Sequence, residues 1–122
     1  MLYAILCYKP EGAVESWTKE QDDAVMAKLA VVEQKLTKAG RLGPVARLMP
    51  TAAARTLRKS EPPVVTDGPF AETKEHLLGF YLVECATPDE AIEAARDLGR
   101  ANPGGSYEIR PVAVFHPGTA QA

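Results

Sequence analysis

The chain has 122 residues, 46% of them hydrophobic and 25% charged, with a formal net charge of −2. That is one domain of ordinary globular composition, long enough to bury a core without metal or disulfide staples. The acidic balance, with a pI near 5.7, speaks against nucleic acid or an anionic membrane surface as a partner. The one basic cluster, "RTLRK" at Arg55–Lys59, is too short for a backbone-binding stripe. No run approaches the roughly 18 apolar residues that span a bilayer. The N-terminal "MLYAILCY" has no basic region before it and no small-residue cleavage site, so a cytoplasmic location is expected. Cys7 and Cys85 each sit in an apolar run and there is no CxxC. They read as reduced, buried thiols, with no metal and no cofactor expected.

In chain order, residues 2–8, "LYAILCY", are uncharged and apolar on both parities, the mark of a strand covered on both faces. From about Glu20 to Ala39, Val25, Leu29, Val32 and Leu36 form one helical stripe, and Gly40 supplies the stop. Leu42 to Met49 predicts a strand that Pro44 pushes to an edge or a bulge. "ARTLRKS" and "PPVVT" read as two short extended segments around a turn at Glu61 and Pro62. Gly79 to Ala86, "GFYLVECA", predicts a central strand. "TPDEAIEAARDLGRAN" predicts a helix with Thr87 as N-cap, Pro88 in the first position and Glu90 closing a capping box. Ala91, Ala95 and Leu98, flanked by Ile92, form its buried face. A last strand is expected from Tyr107 to Phe115, and residues 117–122 form a frayed tail to a single domain at 1–116.

This β-α-β, inserted extended pair, β-α-β order predicts an α+β, ferredoxin-like sandwich built on a split βαβ repeat. Two helices cover one face of its antiparallel sheet. The first and third main strands are apolar on the other face as well, so a second copy of the chain is the economical cover, and a homodimer is expected. Glu84, Glu108 and Arg110 interrupt that second face with charge. They read as ion pairs at its rim or as the polar floor of a cavity.

"TDGPFAETKE", Thr66 to Glu75, stands apart. Asp67 fixes an Asx-type turn, Gly68 supplies positive φ and Pro69 locks it, so the turn presents Phe70 as an apolar anchor. Such a turn does not require Glu72, Lys74 and Glu75. They read as a solvated segment, with Thr73 capping a short helical turn, or as a polar cluster at the mouth of a pocket. Asp67 is the candidate acid–base group. Arg58 is placed to hold a substrate carboxylate or to pair with Asp67, and Phe70, Glu72, Lys74, Glu75 and Arg110 are candidate substrate contacts. His76 has no role assigned; on a helix it would share a face with Glu72.

"TDGPFAETKEHLLGFYLVE" resembles the signature of the YCII-related, DGPF-domain proteins. "AGRLGPVARLMPTAAARTLRKS" and "DEAIEAARDLGRANPGGSYEIRPV" are similar to further stretches of the same family. The resemblance implies a ferredoxin-like fold paired into a dimeric α+β barrel, kin to muconolactone isomerases and small-molecule-binding monooxygenases. It implies a His–Asp pair as the family's active site, of which only the aspartate, Asp67, has a counterpart here, because the first helix holds no histidine. The functional expectation is a homodimer binding a small polar or acidic molecule, its identity unread, with acid–base chemistry at Asp67. Whether it is an enzyme stays open. The alternative is a non-catalytic regulatory or structural dimer module, linked to an extracytoplasmic-function sigma factor as the family's gene neighbourhoods imply.

Overall fold

The computed structural model describes residues 1–14 and 16–121. Four strands, β1 (Leu2–Pro10), β2 (Leu42–Arg47), β5 (Glu75–Glu84) and β6 (Ser106–Pro111), form an antiparallel sheet in the order β2-β5-β1-β6. Helices α1 (Lys19–Lys38) and α2 (Pro88–Ala101) pack on each other and against the sheet. This is the ferredoxin-like α+β fold. Between β2 and β5, strands β3 (Arg55–Arg58) and β4 (Val64–Asp67) pair as a separate hairpin.

The core follows from strand parity. Tyr3, Ile5 and Cys7 of β1 and Tyr81 and Val83 of β5 point under the helices, where they meet Leu29 and Leu36 of α1 and Ala91, Ala95 and Leu98 of α2. The alanines of α2 let it lie close to the sheet, and burial of Leu98 and Ile5 contributes about 1.5–3 kcal/mol each. Burial also pushes the Cys7 thiol up to about 12 and raises the Tyr81 hydroxyl, so both groups stay neutral inside. The opposite parity, Leu2, Ala4, Leu6 and Tyr8 with Phe80 and Leu82, stays only half-buried. Neither helix lies on that side.

The N-caps follow the sequence logic with one exchange. Thr87 accepts the Glu90 amide at 3.1 Å as expected. The Glu90 carboxylate does not return to the cap but pairs with Arg41 at 3.0 Å, because the α1–β2 turn brings a guanidinium within reach. The full capping box lies instead on α1, between Thr18 and Gln21. Four further expectations change. Strand β5 starts at Glu75, because Pro10, Lys9 and Tyr8 of β1 supply a ladder as far as Glu75, His76 and Leu77. Thr73 caps no helical turn; its hydroxyl donates to the Glu75 carbonyl. His76 and Glu72 therefore share no helix face. Strand β6 stops at Pro111, the partner of Tyr3, and Val114 lies 73% exposed.

Two local features shape the site end of the sheet. Leu78 is the extra residue of a bulge, since Cys7 pairs with Gly79 and Tyr8 with Leu77. Gly79 is required there, because a Cβ would collide with the Ala46 carbonyl of β2. β2 is an edge strand, with its own irregularity between Leu42 and Val45 that accommodates Pro44.

Candidate functional site

The antiparallel register sets the end of β1 beside the start of β5, Lys9 opposite His76 and Pro10 opposite Glu75. The DGPF stretch therefore feeds into β5 next to the loop that leaves β1. His76 is largely enclosed, with its side chain 11% exposed, and its Nε2 lies 3.5 Å from the Glu11 carboxylate. That carboxylate also accepts from the Thr51 hydroxyl at 3.1 Å. Thr51 opens the short 3-10 turn after β2, so three separate segments hold one imidazole and its carboxylate. The Glu11 carboxylate thus faces the Nε2 edge of the ring.

In front of the pair lies a concavity of about 460 Å³, lined by Glu11, Pro69, Glu72, Thr73, Lys74 and His76. It combines two carboxylates, an ammonium, a hydroxyl and an imidazole without a large apolar wall. Behind it is a recess of about 30 Å³ reaching Lys9 and Met49, space for one water. No group of three or more His, Cys, Asp or Glu suited to a metal ion occurs among the described residues.

Lys9 supports the site from below and is itself buried, 6% exposed. Its ammonium donates to the Asn102 side-chain oxygen at 2.6 Å and to the Pro103 carbonyl at 3.4 Å, and stands 4.2 Å from the centre of the Trp17 ring. Desolvation, with repulsion from Arg47 second, holds its pKa below the ordinary lysine value.

The residues singled out in sequence fall into three places. Glu72 and Lys74 line the concavity, and Glu75, half-buried, begins β5 at its edge. Asp67, Arg58 and Phe70 belong to the β3–β4 hairpin and the turn that leaves it. The hairpin register puts Arg55, not Arg58, opposite Asp67, and the Arg55–Asp67 ion pair measures 3.1 Å with the Asp67 side chain 89% exposed. Arg58 lies over the Phe70 ring, 5.8 Å from its centre. Gly68, at φ +95°, makes the turn that separates Asp67 from the concavity. Its amide donates to the Ala54 carbonyl at 2.9 Å, and Thr56 donates to its carbonyl at 2.8 Å. Arg110 stands opposite Ala4 on the half-buried sheet face, paired with Glu108, which raises its pKa by hydrogen bonding. Glu84, on the same face, holds the N-terminal ammonium.

Glu11, Thr51 and the use of His76 were not legible in the sequence. The one available signal was that β1 must run antiparallel to β5. That pairing brings the residues after Pro10 toward those before Leu77.

The model of the YCII-related domain matches residues 1–116. An uncharacterized protein of Rhizobium meliloti (strain 1021) is 59% identical over 120 residues, covering 97% of each chain. With the DGPF signature at the join of hairpin and sheet, and with that match over nearly its whole length, the chain belongs to the YCII-related family.

Proposed function

We propose that the protein is a homodimer that binds a small polar, acidic molecule in the concavity bounded by Lys74, Glu72 and the His76–Glu11 pair. The observation that carries this reading is the His76 imidazole, enclosed and 3.5 Å from a carboxylate that Thr51 also holds. The His76 imidazole N–H and the Lys74 ammonium offer an anion two donors in one concavity. Glu72 and Glu11 provide acceptors for the ligand's hydroxyl or amine. Proton transfer at this site runs through the His76 imidazole, whose ring nitrogens can donate or accept.

The second copy belongs to the same reading. The half-buried sheet face of Leu6, Phe80 and Leu82 is apolar, and the hairpin exposes Leu57 (57%), Val65 (64%) and, beyond its turn, Phe70 (76%). Two-fold pairing covers both surfaces at once. It also gives Asp67 its route to an acid–base role, since a carboxylate 89% exposed in one chain needs the partner to enclose it.

The test is the imidazole signal of His76 in NMR, resolved from that of His116 by His76→Gln. Succinate is expected to shift the signal saturably, and succinamide to leave it alone. Lys74→Gln is expected to weaken the effect. A His76 signal indifferent to succinate would remove the proposal of an acid site here.

A further inference from the structure

A second cavity opens on the helix side of the same sheet end. It lies between Val25, Met26 and Leu29 of α1 above and Cys7, Gly79 and Tyr81 of the sheet below, with a volume of about 80 Å³. Gly79 lines its floor, where the absent side chain lets β2 approach the β5 bulge closely. Its walls are hydrocarbon, thiol and aromatic ring, apart from Glu33, Asn102 and Arg47. The Glu33 carboxyl has its pKa raised by burial, which lessens its charge there. Arg47 stands at the rim, its guanidinium 3.0 Å from Asp22 and its side chain 43% exposed, so it has room for a second anion.

The chamber is linked toward the polar site through concavities that share lining residues. Trp17, Arg47, Leu78 and Val14 also line an outer groove of about 560 Å³, which runs past Met49 and Pro50. The same Met49, Pro50 and Leu78 border the recess behind His76. Adjoining concavities therefore run from the recess behind His76, along a groove that also carries Thr18, Lys19 and Asp22, to Arg47 and the chamber.

We infer that the ligand is an amphipathic carboxylic acid: a short branched alkyl end fills the chamber, a carboxylate meets Arg47, and a polar remainder runs along the groove toward His76. This rests on the reading of the His76 concavity as a ligand site and names the class of molecule that site takes. The size limit follows from volume. An apolar cavity of about 150 Å³ holds benzene, so a chamber of about 80 Å³ takes an isopropyl or isobutyl group and excludes a ring. The charge requirement follows from the Arg47 guanidinium at the chamber rim.

Trp17 is the single tryptophan of the chain and lines both chamber and groove, so its fluorescence reports occupancy. Titration of the intact protein with isovalerate and butyrate is expected to change it saturably. Affinity should rise about fourfold per methylene from acetate upward until the chamber is full. Isopentylamine, with the same alkyl group and the opposite charge, is expected to give no saturable change. Val25→Phe fills the chamber and should abolish the isovalerate response. Val25→Ala, which keeps the helix, should move the preference to acids one or two methylenes longer. Arg47→Gln should weaken all acids about tenfold or more. Equal responses to acetate and isovalerate, a saturable response to the amine, or Val25→Ala and Val25→Phe both binding isovalerate like the wild type would each overturn the inference. The two readings fail separately. A Trp17 response with no His76 shift under succinate leaves the chamber standing and the polar site refuted. A His76 shift with no Trp17 response to any acid removes the amphipathic ligand alone.

Discussion

Phe70 offers a sharp test of the homodimer. In the single chain it is 76% exposed, touched mainly by the Arg58 guanidinium at 5.8 Å, so replacing it by alanine removes almost nothing from the protomer's own fold. If two-fold pairing covers the hairpin, the same ring becomes buried in the dimer. Full burial of a phenylalanine side chain contributes about 1.5–3 kcal/mol, and three-quarters of that is ~1–2 kcal/mol. A two-fold dimer loses it twice, so Phe70→Ala should cost roughly 2–4 kcal/mol of association. That corresponds to a dissociation constant about 30- to 1000-fold weaker. Sedimentation velocity over a wide concentration range measures the shift directly, and circular dichroism confirms that the protomer remains folded. Phe80→Asp on the sheet face should act in the same direction, whereas Val114→Asp, at 73% exposure in the C-terminal segment, serves as the control. A wild type that sediments as a monomer throughout, or a Phe70→Ala dimer of unchanged affinity, would refute the reasoning.

Three further outcomes are expected. Leu98→Ala, at a fully enclosed position of α2, should destabilise by about 2–5 kcal/mol in urea unfolding, through lost transfer energy plus the cavity left behind. Alkaline titration should show stability falling as pH rises from about 9.0 toward about 12, because Cys7 is pushed from 9.0 to about 12 and Tyr107 from 10.0 to about 12 by burial. The unfolded chain sheds these protons first, which favours unfolding. Lys9 works in the opposite sense below 10.5, since its folded pKa is lowered. Cys7→Ala should therefore flatten the alkaline limb of the unfolding curve, and an unaltered limb would count against this assignment. Asp67→Asn should lower the melting temperature by no more than about 4 °C, because an exposed pair such as Arg55–Asp67 is worth about 0–1 kcal/mol. A loss of succinate binding in that variant would place Asp67 at the site through the second copy.

The reach of sequence reasoning is clearest at particular residues. Thr87, Pro88 and Leu98 announce α2, because N-capping and a 3.6-residue period act within a few residues of chain. The alternation of Tyr3, Ile5 and Cys7 with Leu2, Ala4 and Leu6 likewise announces a strand apolar on both faces. Pro44 marks an edge for the same local reason, since it cannot donate to a ladder. Glu72 and Lys74 drew attention as charge that a turn does not need, and they do line the concavity.

What escaped depends on contacts between segments remote in sequence. Glu11 and His76 are 65 positions apart in the chain and meet only because β1 and β5 run antiparallel in one register with one bulge. Arg41 captured Glu90 from its expected cap because a turn far away delivered a guanidinium. Asp67 reads in sequence as the acid–base group of a fixed turn, but that turn stands on a hairpin that packs chiefly on itself, so the carboxylate faces solvent and Arg55. The sequence by itself determined the elements, their order, the α+β fold and the family signature, all short-range in origin. The tertiary structure alone decided which charges converge. Register and strand bulges are long-range properties, and a one-residue slip turns every side chain to the other face.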